Sequence, residues 1–343
     1  MIGATNTMKN PISVKENARR IMQFDHPEWV MTGLPTWDCS YAGVNQEPLE
    51  GPGGHDSPVG TRWRDCWGVG YHKEIDGVMG YPCEHPIEDL SVISSYTPPS
   101  PDDPRLYQRI YTRAKEFPHN DAFLSGNHRN TIWERLYRLL GMEAAMIGFM
   151  EEPDAIRELI HMIMDFQLGI AKHYSNVGVE VVNMGDDLGT QKGLLFSIDI
   201  LHEFFVPEYR RLFSFYKERG VFINFHSCGH IEPILEVFMD LGVDILNPLQ
   251  ESANDLVEIR RRTQGRMALM GGVSSDLIVQ GPADRIRATV KERIVQLGVD
   301  GGYFCGPDQE MPWPEDHYAA FVHAVEEYGT YGRNHDATKP DAE

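Results

Sequence analysis

Residues 221–229, VFINFHSCG, open with β-branched and aromatic residues and end in His-x-Cys-Gly where the chain must turn. Strand side chains alternate, so Asn224, His226 and Cys228 share one face while Val221, Ile223 and Phe225 take the other. Imidazole and thiol at a strand's C-terminal edge suit a metal or catalytic site. The competing reading is a buried cysteine beside a hydrogen-bonded histidine. The surrounding sequence has to decide between them.

On both sides of this stretch, short strands alternate with helices. Upstream lie the strand DAFLSGNH, the helices IWERLYRLLG and EAAMIGFMEE, a long helix over 153–177 and the strand VEVVNMGDD. Residues 197–220 read as a helix with Ser197 as N-cap and Gly220 as its stop. Downstream follow the helix IEPILEVFMDLG, the strand DILNPL, the helix DLVEIRRRTQ and the strand MALMGGV. The helix ADRIRATVKERIVQLG, the strand GGYFCG and a last helix over 314–328 complete the series. Such alternation means parallel βαβ units. With PEWVMTGLP there are seven strand candidates, and an eighth has room between residues 90 and 120. The expected fold is an α/β (β/α)8 TIM-type barrel, one domain over 1–343. No GxGxxG or P-loop supports an open doubly wound sheet.

Residues 35–104 break the pattern. They are rich in Gly, Pro, Trp and Asp, and read as a loop-rich, hairpin-bearing insertion over the barrel mouth. Upstream of them, Val14 to Phe24 has an amphipathic helix pattern.

Barrel chemistry sits at the strand C-terminal ends. The polar residues there are Asn127 and His128, Asp186 and Asp187, His226 and Cys228, Asn247 and Gln250, and Cys305 and Asp308. Zinc favours thiolate and imidazole, and a catalytic site needs three protein ligands with one position open. Cys305, on the same side of its strand as Tyr303, is the candidate second sulfur; otherwise it is a buried structural thiol. Asp308, Gln309 and Glu310 are alternative ligands. In GDDLGTQ, Asn183 and Asp187 share a face and Asp186 takes the other, so at least one carboxylate should reach the mouth as ligand or general acid. The competing role for these acids is to cap the following loop. Trp29, Trp37, Trp63, Trp67, His55 and His72 can wall a pocket for a flat substrate or pack a core.

The 343 residues carry 51 acidic against 31 basic side chains, a formal net charge of -20. That argues against nucleic acid and anionic membrane surfaces as partners. Five scattered cysteines without CxxC argue against a disulfide framework and for a reducing cytoplasm. The N-terminus lacks an apolar leader segment, and no run of about 18 apolar residues occurs.

VVNMGDDLGTQ, VFINFHSCGHIEPILEVFMDLGVDILNPLQ and GGVSSDLIVQGPADRIRATVKERI together resemble the uroporphyrinogen decarboxylase superfamily, and within it the cobalamin-dependent methyltransferases. The likeness is strong from about residue 150 onward and weaker through WRDCWGV and HPIEDLSVISSYTPPSPDD. NFHSCGHIEPIL is close to the HxCGN pattern, with His230 where Asn is common. The resemblance implies a (β/α)8 barrel and zinc held by His226, Cys228 and a later Cys. The family's last Cys lies in an APGC-like turn. Here the strand ends FCGPDQ, so Cys305 falls slightly early and Asp308 stands near the customary place. The implied activity is methyl transfer between a small methylated substrate, an aromatic methyl ether being favoured, and the cobalt of a corrinoid, with Asp187 or Asp186 as the acid. No DxHxxG cobalamin motif is present, so the corrinoid is expected on a partner protein. A homodimer is compatible with the sequence. The decarboxylase branch expects an Arg-rich RxxGRY-type segment, but TGLPTWDCSYAG has no Arg. The remaining alternative is a non-catalytic ligand-binding barrel.

Overall fold

The computed structural model describes residues 12–119 and 121–331. The first residues of the chain, read above as lacking a leader, and the end of the 1–343 domain lie outside the described residues. Helix α1 (Val14–Gln23), capped by Ser13, precedes strand β1 (Thr36–Asp38). The insertion carries an antiparallel meander, β2 (Arg62–Arg64), β3 (Gly70–His72) and β4 (Tyr81–Glu84). Helix α2 (Pro104–Lys115) begins with proline after the Asp103 cap, a favoured helix start. It leads to β5 (Phe123–His128), followed by α3 (Trp133–Leu140), α4 (Met142–Glu151) and α5 (Pro153–Val177). After β6 (Val181–Gly185), Ser197 caps α6 (Ile198–Ile200), a π turn spans Leu201–Phe205, and α7 (Val206–Lys217) follows. Then come β7 (Phe222–His226), α8 (Leu235–Leu241), β8 (Ile245–Leu249) and α9 (Leu256–Thr263). The series closes with β9 (Ala268–Val273), α10 (Ser275–Gln280), α11 (Ala283–Leu297), β10 (Tyr303–Pro307) and α12 (Glu315–Tyr328).

Seven strands form one parallel sheet in the order β1-β5-β6-β7-β8-β9-β10, as the strand–helix alternation predicts for a TIM-like barrel. The segment before β1 reaches the other edge: Met31 bridges Phe304, and the Cys305 N–H donates to the Met31 carbonyl at 2.8 Å. One extended segment thus touches both edges of the curled sheet. The eighth strand looked for between residues 90 and 120 is absent among the described residues. A 3-10 turn (Leu90–Ser95) and α2 occupy that stretch instead. PEWVMTGLP makes only isolated bridges, and regular pairing starts just after Pro35, at Thr36.

The alternation of each strand sorts its side chains into two environments. Phe123, Val181, Ile245, Ala268 and Phe304, each at or next to the start of its strand, form an inner cluster with Ala18 and Ile21 of α1. The helix plugs that end of the barrel. Two and four residues further along the inward face, apolar side chains give way to Asn183, Asn224 and Asn247, then to Asn127 and His226. Outward-facing Val182, Met184, Ile223, Phe225, Leu246 and Cys305 belong to the larger core between sheet and helices.

The insertion is anchored by WRDCWGV. Buried Asp65 accepts the backbone N–H groups of Trp67 and Val69 and pairs with Arg135 of α3 at 2.7 Å. Arg135 lies over the Trp67 ring, whose other contact is an edge-on meeting with Phe166 of α5. The insertion therefore backs the helix whose Glu134 lines the mouth. No helix among the described residues is long and apolar enough to cross a membrane. All five cysteines are free thiols.

Candidate metal centre

At the C-terminal ends of β5 to β8 opens a cavity of about 300 Å³. Its walls are Asn127, Arg129, Glu134, Asn183, Met184, Gly185, Asp187, Asn224, His226 and Asn247. Two of these wall residues, Asp187 and His226, and the nearby Cys228 each bring a ligand atom within 4.8 Å of the other two. Cys228 Sγ stands 3.3 Å from His226 Nε2, and Asp187 Oδ1 stands 3.6 Å from the same nitrogen.

Local structure explains the geometry. His226 ends β7 on the inward face, and its Nδ1 meets Asn247 Oδ1 at 2.9 Å. Beyond it the chain turns at Gly229, whose φ of +82° is costly for any residue with a Cβ. A Cβ there would also lie 2.4 Å from the Gly189 carbonyl carbon, because the loop after β6 crosses directly over the turn. The turn aims the Cys228 N–H at Asp187 Oδ1, at 2.9 Å. It also aims the Gly229 N–H at Gln250 Oε1, at 2.6 Å. The HSCG motif therefore locks a thiol, an imidazole and a carboxylate into one concave patch. Burial pushes the Cys228 thiol up to about 12, helped by the Asp187 charge, while a hydrogen bond from Gln309 Nε2 at 3.2 Å pulls the other way.

One nitrogen, one sulfur and one carboxylate oxygen, with open cavity in front, make a donor set that fits a catalytic zinc. The carboxylate comes from Asp187 rather than from the last strand. Cys305, read as the second sulfur, is not part of this group. Phe304 points into the barrel, so its neighbour Cys305 points out and is fully buried beside Tyr303, with its thiol pushed up to about 12 by burial. Asp308 is engaged elsewhere, its Oδ1 accepting the Ser275 N–H at the start of α10 at 2.8 Å.

Asp186, the other expected acid, also faces away from the cavity. It is fully buried and accepts from the Ile132 and Glu134 N–H groups and the Tyr209 hydroxyl, which makes it a cap for α3. Burial pushes its carboxyl up to about 7 against the pull of those donors. His128 is likewise fully buried, between Gln167 and Tyr216, and burial lowers its pKa to about 4. The aromatic residues of the N-terminal half do not wall the cavity. Trp63 stacks on Tyr71, Trp67 packs on Phe166, Trp37 donates to the Arg113 carbonyl, and Trp29 lines a separate cavity beside α12. That cavity, about 790 Å³, holds no thiol or imidazole among its lining residues.

Two wall residues had no signal in the sequence. Glu134 sits in the first turn of α3 with its side chain 18 % exposed and Arg138 at 2.9 Å. Burial raises its pKa, with Arg138 opposing and Asp187 reinforcing the shift. Arg129 stands exposed at the rim. Neither belongs to a motif, and only the placement of the β5–α3 connection brings them in.

The uroporphyrinogen decarboxylase family model matches residues 86–328. The chain belongs to the uroporphyrinogen decarboxylase family. Among solved structures, a methyltransferase from Methanosarcina mazei is similar with a TM-score of 0.59 at 20% identity, over 77% of this chain and 76% of that one. A B12-independent methionine synthase from Shewanella sp. has a TM-score of 0.43 at 10% identity, over 78% of this chain and 73% of that one. The first of these likenesses supports the family's barrel fold. No curated protein matches the sequence.

Proposed function

We propose that this member of the family, one barrel domain with a loop-rich insertion between β1 and α2, is a zinc-dependent methyltransferase. It moves a methyl group between a small methylated compound and the cobalt of a corrinoid carried by a partner protein. The observation that carries the proposal is the Asp187–His226–Cys228 group, built at the strand ends over an open polar cavity. Zinc bound there would supply a Lewis acid for the donor's heteroatom or hold an acceptor thiol as thiolate. The chain's own residues do the rest. Asn247 holds the His226 ring, and the turn at Gly229 sets the thiol against Asp187. Glu134, kept ready to hold a proton by its burial, is placed to protonate the leaving heteroatom.

The wall composition narrows the substrate. Four asparagines, Arg129, His226 and two carboxylates line the space, with no Phe, Tyr or Trp among the described lining residues. A small polar methylated compound fits this wall better than the aromatic ether first favoured. A porphyrinogen polycarboxylate fits it worse still: a single arginine faces Asp187 and Glu134, so decarboxylation of such a substrate would set like charges together.

The test is zinc content together with methyl transfer to Co(I) cobalamin from methanol, methylamines, methyl thioethers and an aryl methyl ether. About one zinc per chain is expected, with transfer lost in His226→Ala and Cys228→Ser. Full transfer by either variant would refute the proposal.

A further inference from the structure

The inward face carries asparagines on three adjacent strands, Asn183, Asn224 and Asn247, and they are linked in one direction. Asn247 Nδ2 donates to the Phe225 carbonyl at 3.2 Å and to Asn224 Oδ1 at 2.6 Å. Asn224 Nδ2 donates in turn to Asn183 Oδ1 at 2.9 Å. A backbone carbonyl can only accept, so the amide end of Asn247 facing Phe225 must be its NH2. Its oxygen then faces His226 Nδ1, and at 2.9 Å that nitrogen must carry the hydrogen. The other ring nitrogen, Nε2, is left as a lone pair between Cys228 Sγ and Asp187 Oδ1.

We infer that Asn247 and Asn224 are positioning residues for His226: they fix its tautomer and its ring orientation so that Nε2 is presented as a ligand. The Phe225 carbonyl anchors Asn247, and Asn224 holds the same NH2 from the other side, so the amide cannot turn over without losing two acceptors. Asn183 accepts the last bond and leaves its own NH2 to the cavity. The ladder follows from register. Asn183 pairs with Asn224 across β6 and β7, and His226 pairs with Asn247 across β7 and β8. The orientation follows from the metal-free geometry. Its consequence for affinity rests on the metal reading above.

The experiment reads the imidazole nitrogens by long-range 1H–15N NMR in metal-free protein at about pH 8.5, above the range where ordinary imidazoles titrate. His226 is identified by the signals lost in His226→Ala. The unaltered protein should show His226 protonated at Nδ1. Asn247→Leu should give a tautomer mixture, and Asn247→Asp, which again offers an acceptor, should restore Nδ1–H. A change in global stability alone would not produce that pattern. Zinc affinity should fall about 10–100-fold in Asn247→Leu, less in Asn224→Leu, and recover in Asn247→Asp. An Nε2–H tautomer in the unaltered protein, or an unchanged tautomer in Asn247→Leu, would overturn the inference. The unaltered spectrum decides the point even if Asn247→Leu does not fold. Nδ1–H with no zinc uptake would sink the metal reading and leave this one standing.

Discussion

The two faces of the barrel strands carry the same chemistry to opposite ends. Each has a histidine, a cysteine and an aspartate near the strand C-termini: His226, Cys228 and Asp187 on the cavity side, His128, Cys305 and Asp186 on the helix side. The cavity set brings its ligand atoms within 4.8 Å of one another and is partly open to solvent. The helix-side set is fully buried, and its polar contacts are internal: Gln167 and Tyr216 for His128, Tyr303 for Cys305, and Tyr209 and the start of α3 for Asp186. Residue type and position along the strand do not separate the sets; parity does. The cavity face turns its ligand atoms towards open space, whereas the helix face buries them in structural contacts.

The largest contrast should come from the cysteines. Cys228→Ser is expected to weaken zinc binding by more than about 100-fold, beyond the loss typical of a ligand's supporting partner, with little change in stability. Cys305→Ser should retain full metal affinity and lose about 1–3 kcal/mol of stability, since it puts a hydroxyl into apolar packing. Zinc titration and urea denaturation of both variants check this. Equal metal loss in the two would erase the distinction between the faces.

The carboxylates sharpen it next. Glu134→Gln should lower methyl transfer on the order of 100-fold, the low end for general acid–base catalysis. Burial raises the Glu134 pKa, so its acid form persists above the ordinary carboxyl range, and activity should fall as pH rises through it. Glu134→Gln should lack that limb in a pH–rate profile. Asp186→Ala should instead cost about 3 kcal/mol of stability by leaving Tyr209 and the Ile132 and Glu134 N–H groups without their acceptor, while zinc content stays the same.

The last contrast concerns the helix-side histidine. The folded state lowers the His128 pKa to about 4. Below its unfolded value the unfolded chain binds more protons, so His128's contribution is present at neutral pH and is lost as pH falls towards 4. The shift corresponds to roughly 3 kcal/mol at most. Asp186, raised to about 7, works in the opposite sense, losing stability as pH rises through that value. The comparison must therefore be the unaltered protein against His128→Gln, whose stability should fall less steeply between neutral pH and pH 4. Parallel curves would contradict the buried-neutral assignment.

Much of this was legible in the sequence. The alternation put Asn224 and His226 on one face, and that face lines the cavity, while the strand–helix order gave the barrel. Cys305 was legible in principle, because it shares a face with Tyr303, which reaches outward to the Gly271 carbonyl. The family's later Cys suggested the opposite. Sequence could not choose between Asp186 and Asp187, because the choice depends on where the β6 chain leaves its strand and where α3 begins. Glu134 and the direction of the asparagine ladder depend on cross-strand register and helix docking, which no local pattern encodes.

The most direct test of the account is X-ray absorption at the zinc edge of protein loaded with one equivalent of zinc. One sulfur neighbour is expected at about 2.3 Å, from Cys228, with the remaining neighbours nitrogen or oxygen at about 2.0–2.2 Å. Two sulfur neighbours would place Cys305, or another thiol, at the metal. That result would contradict the assignment of the site to the inward face alone.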